Sequence, residues 1–488
     1  MSVEELETIF HPCSIAIVGA SDNPSSAGYF YTSHLLDYNY RGKIYPINPH
    51  REEILGLKAY PSLREAEGSV DYVICCLPAS RVIELLPECP EKGVKAIHLF
   101  TGRLSETGYD EAIALEKEIL QKARELGIRL IGPNCMGIYY PKEGISFGFD
   151  FPKESGGVGM VMQSGGASTD FIRFASLRGV RFSKVISYGN ALDLNETDFL
   201  HYLSKDPETK VIAGYIEGVK EGRKFLYVLR EASRSKPVIV LKAGRSDAGV
   251  KAASSHTAAL TGSLKTWETA IRQAGAVQAQ TMEEMIDLII SFYFLPPILG
   301  KRVGIMGGGG GRTVLSADEW EEAGFSLVPL PPEIKEEIRK RLPQIWWEWL
   351  KNPIDRSILP LDRLDIIEDV LEMMAKSPHF DLIVATITID NPLAKDGYIK
   401  FIQKQVEETI RINKEGIKPL VVVLNTGTLG IEDFEDWRWR FFAEEKARLV
   451  AAQVPVYSTL SQAARAVSQL VDYYQGREAR QAALCASQ

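Results

Sequence analysis

His256 is one of seven histidines, and its surroundings set it apart. It sits in KAASSHTAALTGS (251–263), flanked by Ser254, Ser255, Thr257, Thr261 and Ser263. A buried structural histidine usually lies among apolar residues at helical spacing, whereas small hydroxylated flanks suit a loop that faces an anion or solvent. An imidazole can act as a nucleophile through one ring nitrogen while a carboxylate orients the other. On these residues alone, a solvated surface histidine is an equal reading.

Three glycine-rich turns offer a second kind of chemistry: GASDNPSSAG (19–28), QSGGAS (163–168) and GGGGGRT (307–313). Each follows an apolar run and opens a helical pattern. The first N–H groups of a helix are unpaired and carry the positive end of its dipole, so such a turn can hold an anion. The first turn lacks the GxGxxG dinucleotide spacing, because Ser21 and Pro24 stand where the second and third glycines belong. That argues against hydride transfer. Ser21, Asp22 and Asn23 there supply side-chain oxygens and amides suited to a ligand phosphate or adenosine. In the second turn, Ser164, Gly165 and Gly166 let a phosphate approach the backbone. In the third, glycines run from Gly307 to Gly311, and Arg312 adds a forked positive charge. The competing readings are a plain tight turn for the first and a flexible surface loop for the third.

The elements that must position these residues are short, continuously apolar runs separated by helical patterns. SIAIVGAS, KIYPINP, VDYVICCLP, KAIHLF and IRLIGPN form one set. VGMVMQSGG, FSKVISYGN, KVIAGYIEG and KPVIVLKAG form a second, and KRVGIMGGGGG, DLIVATITI and KPLVVVLNTG a third after the break FLPPILG. Strands buried on both faces with helices between them read as βαβ units. The fold class is therefore α/β, with three doubly wound domains: 1–130, 131–298 and 299–475, followed by a tail at 476–488. The tryptophan-rich stretch IWWEWLKNPIDRSILP (345–360) reads as an interdomain plug.

A chain of 488 residues accommodates three such domains. A net charge of −8 disfavours nucleic acid and acidic membrane surfaces as partners. No apolar run is long enough to span a bilayer, and MSVEELETIF lacks the features of a signal peptide. Cys13, Cys75, Cys76, Cys89, Cys135 and Cys485 form no CxxC pair or zinc spacing, which points to a reduced, cytoplasmic setting and no bound metal.

The segment SSHTAALTGS resembles the phosphohistidine loop of the NDP-forming (ADP-forming) acyl-CoA synthetases, relatives of succinyl-CoA ligase. SIAIVGASDNP with GKIYPINP, IGPNCMGI, GMVMQSGGAS and YIEGVKEGRKF resemble that family's other motifs, in the family's order. The likeness is strong over about 10–300 and holds in outline over about 300–470. It implies a Rossmann-like CoA-binding domain followed by two flavodoxin-like domains of the succinyl-CoA ligase type. Gly19, Ser21, Asp22, Asn23 and Pro24 would then bind the CoA nucleotide, with Asn48, Arg51 and Thr101 along the CoA path. Asn134, Ser164, Gly165 and Gly166 would hold phosphate and the acyl group. His256 would be phosphorylated, with Glu217 bonded to its imidazole. Gly309, Gly310, Gly311 and Arg312 would form a second phosphate station.

The reaction so implied converts acyl-CoA and phosphate to acyl phosphate and CoA, passes the phosphoryl group to His256, and then to ADP. CoA or acyl-CoA, the carboxylic acid and phosphate are handled by this chain. ADP or ATP, with Mg, would be bound by an ATP-grasp beta subunit on a separate chain, in a hetero-oligomer. Two departures from the family pattern stand out: the third turn contains only glycines before Arg312, and Ala258 stands where a glycine usually follows SSHT. The alternatives are a CoA-dependent acyl- or carbamoyl-transferase and a non-catalytic CoA-binding regulatory subunit.

Overall fold

The computed structural model describes residues 3–251, 263–342, 350–356, 364–388, 395–424 and 435–486. The chain divides into two compact units, 1–285 and 286–488. The phosphohistidine candidate and all three tryptophans of 346–349 lie outside the described residues.

The first unit contains two sheets. In the first, β1 (Ser14–Val18), β2 (Lys43–Ile47), β5 (Tyr72–Cys75), β6 (Ala96–Leu99) and β7 (Arg129–Ile131) pair in parallel in the order β2-β1-β5-β6-β7. A separate hairpin is formed by β3 (Glu53–Ile54) and β4 (Leu57–Lys58). Every residue of β1 is buried, as expected of a strand covered on both faces. Pro46 is tolerated within β2 because that strand lies at the sheet's edge. The order reverses between β1 and β5, so their carboxyl ends flank the crevice in which doubly wound sheets bind ligands.

The second sheet comprises β8 (Gly137–Tyr139), β9 (Val158–Met162), β10 (Phe182–Ser187), β11 (Val211–Ile216), β12 (Val238–Lys242) and β13 (Val277–Ala279). Their order is β13-β12-β11-β9-β10-β8, all parallel except β8, which runs antiparallel to β10. Its reversal point lies between β9 and β11, the strands that end at Ser164 and Glu217 respectively. At the sheet's other end Lys184, 1% exposed, sits 3.0 Å from Asp206 and 2.9 Å from Glu208. A buried ammonium is tolerable only with such partners.

The second unit holds β14 (Val303–Gly307), β15 (Leu382–Ile387), β16 (Leu420–Leu424) and β17 (Val456–Tyr457), parallel and in chain order. On the free edge of β14, parallel bridges Arg302–Ser326 and Met306–Ile354 occupy the place where a doubly wound sheet puts its second strand. Its core gathers Ile338, Val370, Met374, Ile402, Val422 and Leu449. The last helix, Leu460–Ala486, runs through residue 476, where the sequence suggested that a tail begins, and the proposed boundary at 130/131 falls within β7.

Candidate active site

At the end of β1 the chain turns at Gly19, with φ +91°, and the N–H groups of Gly19 and Ala20 both donate to the Ile47 carbonyl at 3.1 and 3.2 Å. The Ser21 hydroxyl oxygen accepts from the Asn23 N–H at 3.0 Å, and Asn23 Oδ1 accepts from the Ser25 N–H at 3.0 Å. These oxygens shape the turn, a role that residue type alone did not reveal. Pro24 lies within the turn, and Ser26 caps the helix Ala27–Asp37 by accepting from the Tyr29 N–H at 3.1 Å. A Cβ on Gly28 would stand 2.0 Å from the Gly19 carbonyl oxygen, so a glycine is needed for this helix to close on the turn.

Asn48 ties the end of β2 to the same turn through Nδ2 to the Ala20 carbonyl at 2.8 Å. Arg51 reaches Asp22 at 3.6 Å, both half-exposed. Gly19, Asn48, His50, Ser62, Leu77 and Arg81 line an open groove at these strand ends. Arg81, which pairs with Glu84 at 3.4 Å on the same groove, was not anticipated from sequence. Thr101 is buried and is not among the lining residues; its hydroxyl donates to the Leu77 carbonyl at 2.8 Å and its own carbonyl accepts from the Asn134 N–H at 2.9 Å.

That last bond leads to the second site. Asn134 has φ +56°, and its backbone is so close to Gly189 that a Cβ there would lie 2.5 Å from the Asn134 carbonyl oxygen. Two residues on, Met136 covers the start of the helix Gly165–Ser176, 2.9 Å from where a Cβ on Gly165 would be. Ser164 caps that helix by accepting from the Ala167 N–H at 3.4 Å. Among the described residues nothing lies within 4 Å of a Cβ placed on Gly166, so the helix start is open to them there.

Across the reversal point, Glu217 is 6% exposed. Its N–H and that of Gly218 donate to Gln163 Oε1 at 2.8 and 3.2 Å, and its carbonyl accepts from Lys242 Nζ at 2.6 Å. Burial pulls the Lys242 ammonium below its ordinary pKa, while Glu217 acts in the opposite direction. Gln163, which precedes Ser164, thus ties the end of β9 to Glu217 after the neighbouring strand β11, and Met136, two residues after Asn134, packs on Gly165. Lys242, and the bond from Gln163 to Glu217, are what sequence reasoning missed. The only signal for either was a polar residue ending an apolar strand. His256 lies outside the described residues, so its contact with Glu217 is an expectation.

In the second unit, β14 runs into Gly307 (φ +126°) and Gly308 (φ +81°), and Gly309 opens the helix Gly310–Glu322. A Cβ on Gly307 would lie 2.2 Å from the Thr386 carbonyl oxygen. Gly309 and Gly311 are open, whereas Gly310 faces the Asp355 carboxylate, 3.3 Å from a Cβ placed there. The Arg312 stem folds over Gly308. Among the described residues no group of three or more histidine, cysteine and carboxylate side chains could hold a metal ion, and no helix is long and apolar enough to cross a membrane.

The fold and these crevices define a CoA-handling α/β protein, and comparison with known proteins agrees. A CoA-binding domain model matches residues 13–141, and a model of the succinyl-CoA ligase-like flavodoxin domain matches residues 155–292. Acetate–CoA ligase [ADP-forming] II subunit alpha of Pyrococcus furiosus is 38% identical over 384 residues, 79% of this chain and 82% of that one. The corresponding I subunit alpha is 36% identical, over 72% and 76% of the two chains. The ADP-forming acetate–CoA ligase of Methanocaldococcus jannaschii is 39% identical over 72% of this chain, which spans 49% of that protein. The solved structure of a dinucleotide forming acetyl-coenzyme A synthetase 1 from Ca. Korarchaeum cryptofilum, in complex with phosphate and ADP, superposes with a TM-score of 0.82 at 31% identity, covering 99% of both chains. The chain belongs to the ADP-forming acetate–CoA ligase family.

Proposed function

We propose that this chain carries the CoA-binding and phosphohistidine half of an acyl-CoA synthetase that interconverts acyl-CoA, ADP and phosphate with carboxylic acid, CoA and ATP. The reading is supported by the open helix start at Ser164–Gly166 after β9 and by buried Glu217 after the neighbouring strand β11. The helix start stabilises the phosphate that attacks the thioester and the charge that develops on it. The phosphoryl group of the resulting acyl phosphate passes to an imidazole nitrogen of His256, releasing the carboxylate. Glu217 accepts a hydrogen bond from the other nitrogen, fixes the tautomer and stabilises the cationic ring. CoA lies in the groove at Gly19 and Asn48, with Asp22, Arg51 and Arg81 near its phosphates.

The last transfer, to ADP with Mg, belongs to an ATP-grasp beta subunit. Two of the relatives above are named alpha subunits, which supports a partner chain. Gly309, Gly310, Gly311 and Arg312 are the candidate second phosphate station, with Asp355 beside it. Family membership favours the synthetase over the transferase and regulatory alternatives.

The test is to incubate the chain with acetyl-CoA, a longer acyl-CoA or an aryl-CoA and radiolabelled phosphate, and to assay acid-labile label on the protein. Label is expected in the wild type and absent in His256→Asn. A His256→Asn variant that labels as the wild type does would overturn the assignment.

A further inference from the structure

The second unit contains a buried cation, Arg356, that makes no ion pair among the described residues. It is 7% exposed. Its guanidinium donates to the Thr386 carbonyl at 3.0 Å and lies 5.0 Å from the centroid of the Phe401 ring. Burial lowers its pKa to about 10, with Asp355 giving only partial compensation. Asp355 itself faces the glycine turn at Gly310. An isolated buried charge is among the costliest features a core can hold, and it persists where something neutralises it.

Arg356 lines a cavity of about 20 Å³ at the carboxyl end of β15, together with Phe401, Gln405, Glu408 and Thr409. A single water needs roughly 10–15 Å³ in this measure, so the space suits a species of about one to three heavy atoms. Two hydroxyls of its lining residues, Thr386 Oγ1 and Thr409 Oγ1, are buried without a partner among the described residues. Glu408 does not supply the missing charge, because its carboxylate is held by Arg411 at 2.5 and 3.0 Å. Cavity, cation and unmatched hydroxyls therefore coincide. The cavity lining shares no residue with the CoA groove and includes neither Ser164 nor Glu217.

We propose that this cavity is a binding site for a small monovalent anion of formate size, held by the Arg356 guanidinium and by threonine hydroxyls. A planar carboxylate matches the guanidinium fork, and hydroxyls can donate to the same oxygens. No proton or group transfer is involved: the ligand completes the electrostatics of the core.

The experiment follows thermal unfolding of the full chain at constant ionic strength in formate, in chloride, and in a bulky organic anion too large for the cavity. Formate at about five times its dissociation constant should raise the midpoint by roughly 2–4 °C over the bulky anion, in a saturable way. A rise with chloride alone would overturn the carboxylate assignment in favour of a halide. Arg356→Met should abolish the formate effect. If that variant fails to fold, Thr409→Val keeps the question decidable. Loss of the formate response in that variant supports the site, whereas stabilisation by the same amount in all three salts would mean that the hydroxyl serves no ligand. No difference among the salts in the wild type would also overturn the proposal.

Discussion

Two adjacent glycines, Gly165 and Gly166, begin the same helix but answer to different constraints. A Cβ on Gly165 runs into Met136 at 2.9 Å, whereas one on Gly166 meets nothing. Gly165→Ala must displace a flexible methionine stem and should lower stability by on the order of 1 kcal/mol. Gly166→Ala should fold with its unfolding midpoint essentially unchanged, even gaining slightly from helix propensity. On the proposed reading its methyl group enters the space through which phosphate reaches the helix start. We expect the apparent affinity for phosphate in the labelling reaction to fall at least tenfold in Gly166→Ala while CoA binding, read by calorimetry, is retained. Equal phosphate affinity in the two proteins would remove the anion role from this turn. Glu217→Gln asks a different question, because it keeps the shape and removes the charge. It should slow phosphohistidine formation by roughly 10²- to 10⁴-fold, the range for a positioned acid or base, again with CoA affinity intact. A rate within threefold of wild type would separate Glu217 from the histidine.

Elements explain why much of this was legible in sequence and some was not. Strand, glycine turn and helix are contiguous in the chain, so all three candidate anion stations could be read from local pattern. The bond between Gln163 and Glu217 spans 54 positions, and nothing in either segment announces it. Asp355 beside Gly310, and Arg356 beneath Thr386, are equally long-range and come from a segment without regular periodicity. Ser21 and Asn23 carry a role that residue type did not reveal: their side-chain oxygens accept local backbone hydrogen bonds that shape the turn. The cluster around Lys184 was also invisible, because nothing in FSKVIS names Asp206 and Glu208 as its partners. Its burial makes it a test of the second sheet. Lys184→Met leaves Asp206, 4% exposed, without its ammonium and should cost about 3–5 kcal/mol. Lys142, half exposed on the same Glu208, should cost less than about 1 kcal/mol when replaced by alanine. Burial works to raise the Glu208 pKa, but hydrogen bonds from Lys142, Tyr140 and Lys184 outweigh it and bring the pKa down to about 2 from 4.5. Its contribution is therefore complete above pH 4.5 and is lost as pH falls through about 2. Acid titration of unfolding should show the gap between wild type and Lys184→Met closing over that window; a gap independent of pH would mean that the pair is not electrostatic in origin.

On the scale of the whole molecule, three α/β sheets provide two glycine-turn sites in one unit and a third in the other. On the proposed reading, phosphorylated His256 carries the phosphoryl group from the thioester chemistry to the nucleotide. On the proposed two-subunit reading, the ATP-grasp module, a domain of about two hundred residues, lies on a separate chain. The chain alone should therefore complete the half-reaction with acyl-CoA and phosphate but should not be labelled by γ-labelled ATP. Adding an ATP-grasp beta subunit with Mg should bring label from ATP to His256, and then to acyl phosphate when the carboxylic acid and CoA are supplied. Replacing Gly309 by valine fills open space at the third turn. It should slow labelling from ATP at least tenfold while leaving labelling from acyl-CoA and phosphate unchanged. Equal slowing of both directions would place the third turn outside nucleotide exchange. Rapid labelling by ATP without any partner would require this chain to bind the nucleotide itself and would end the two-subunit reading.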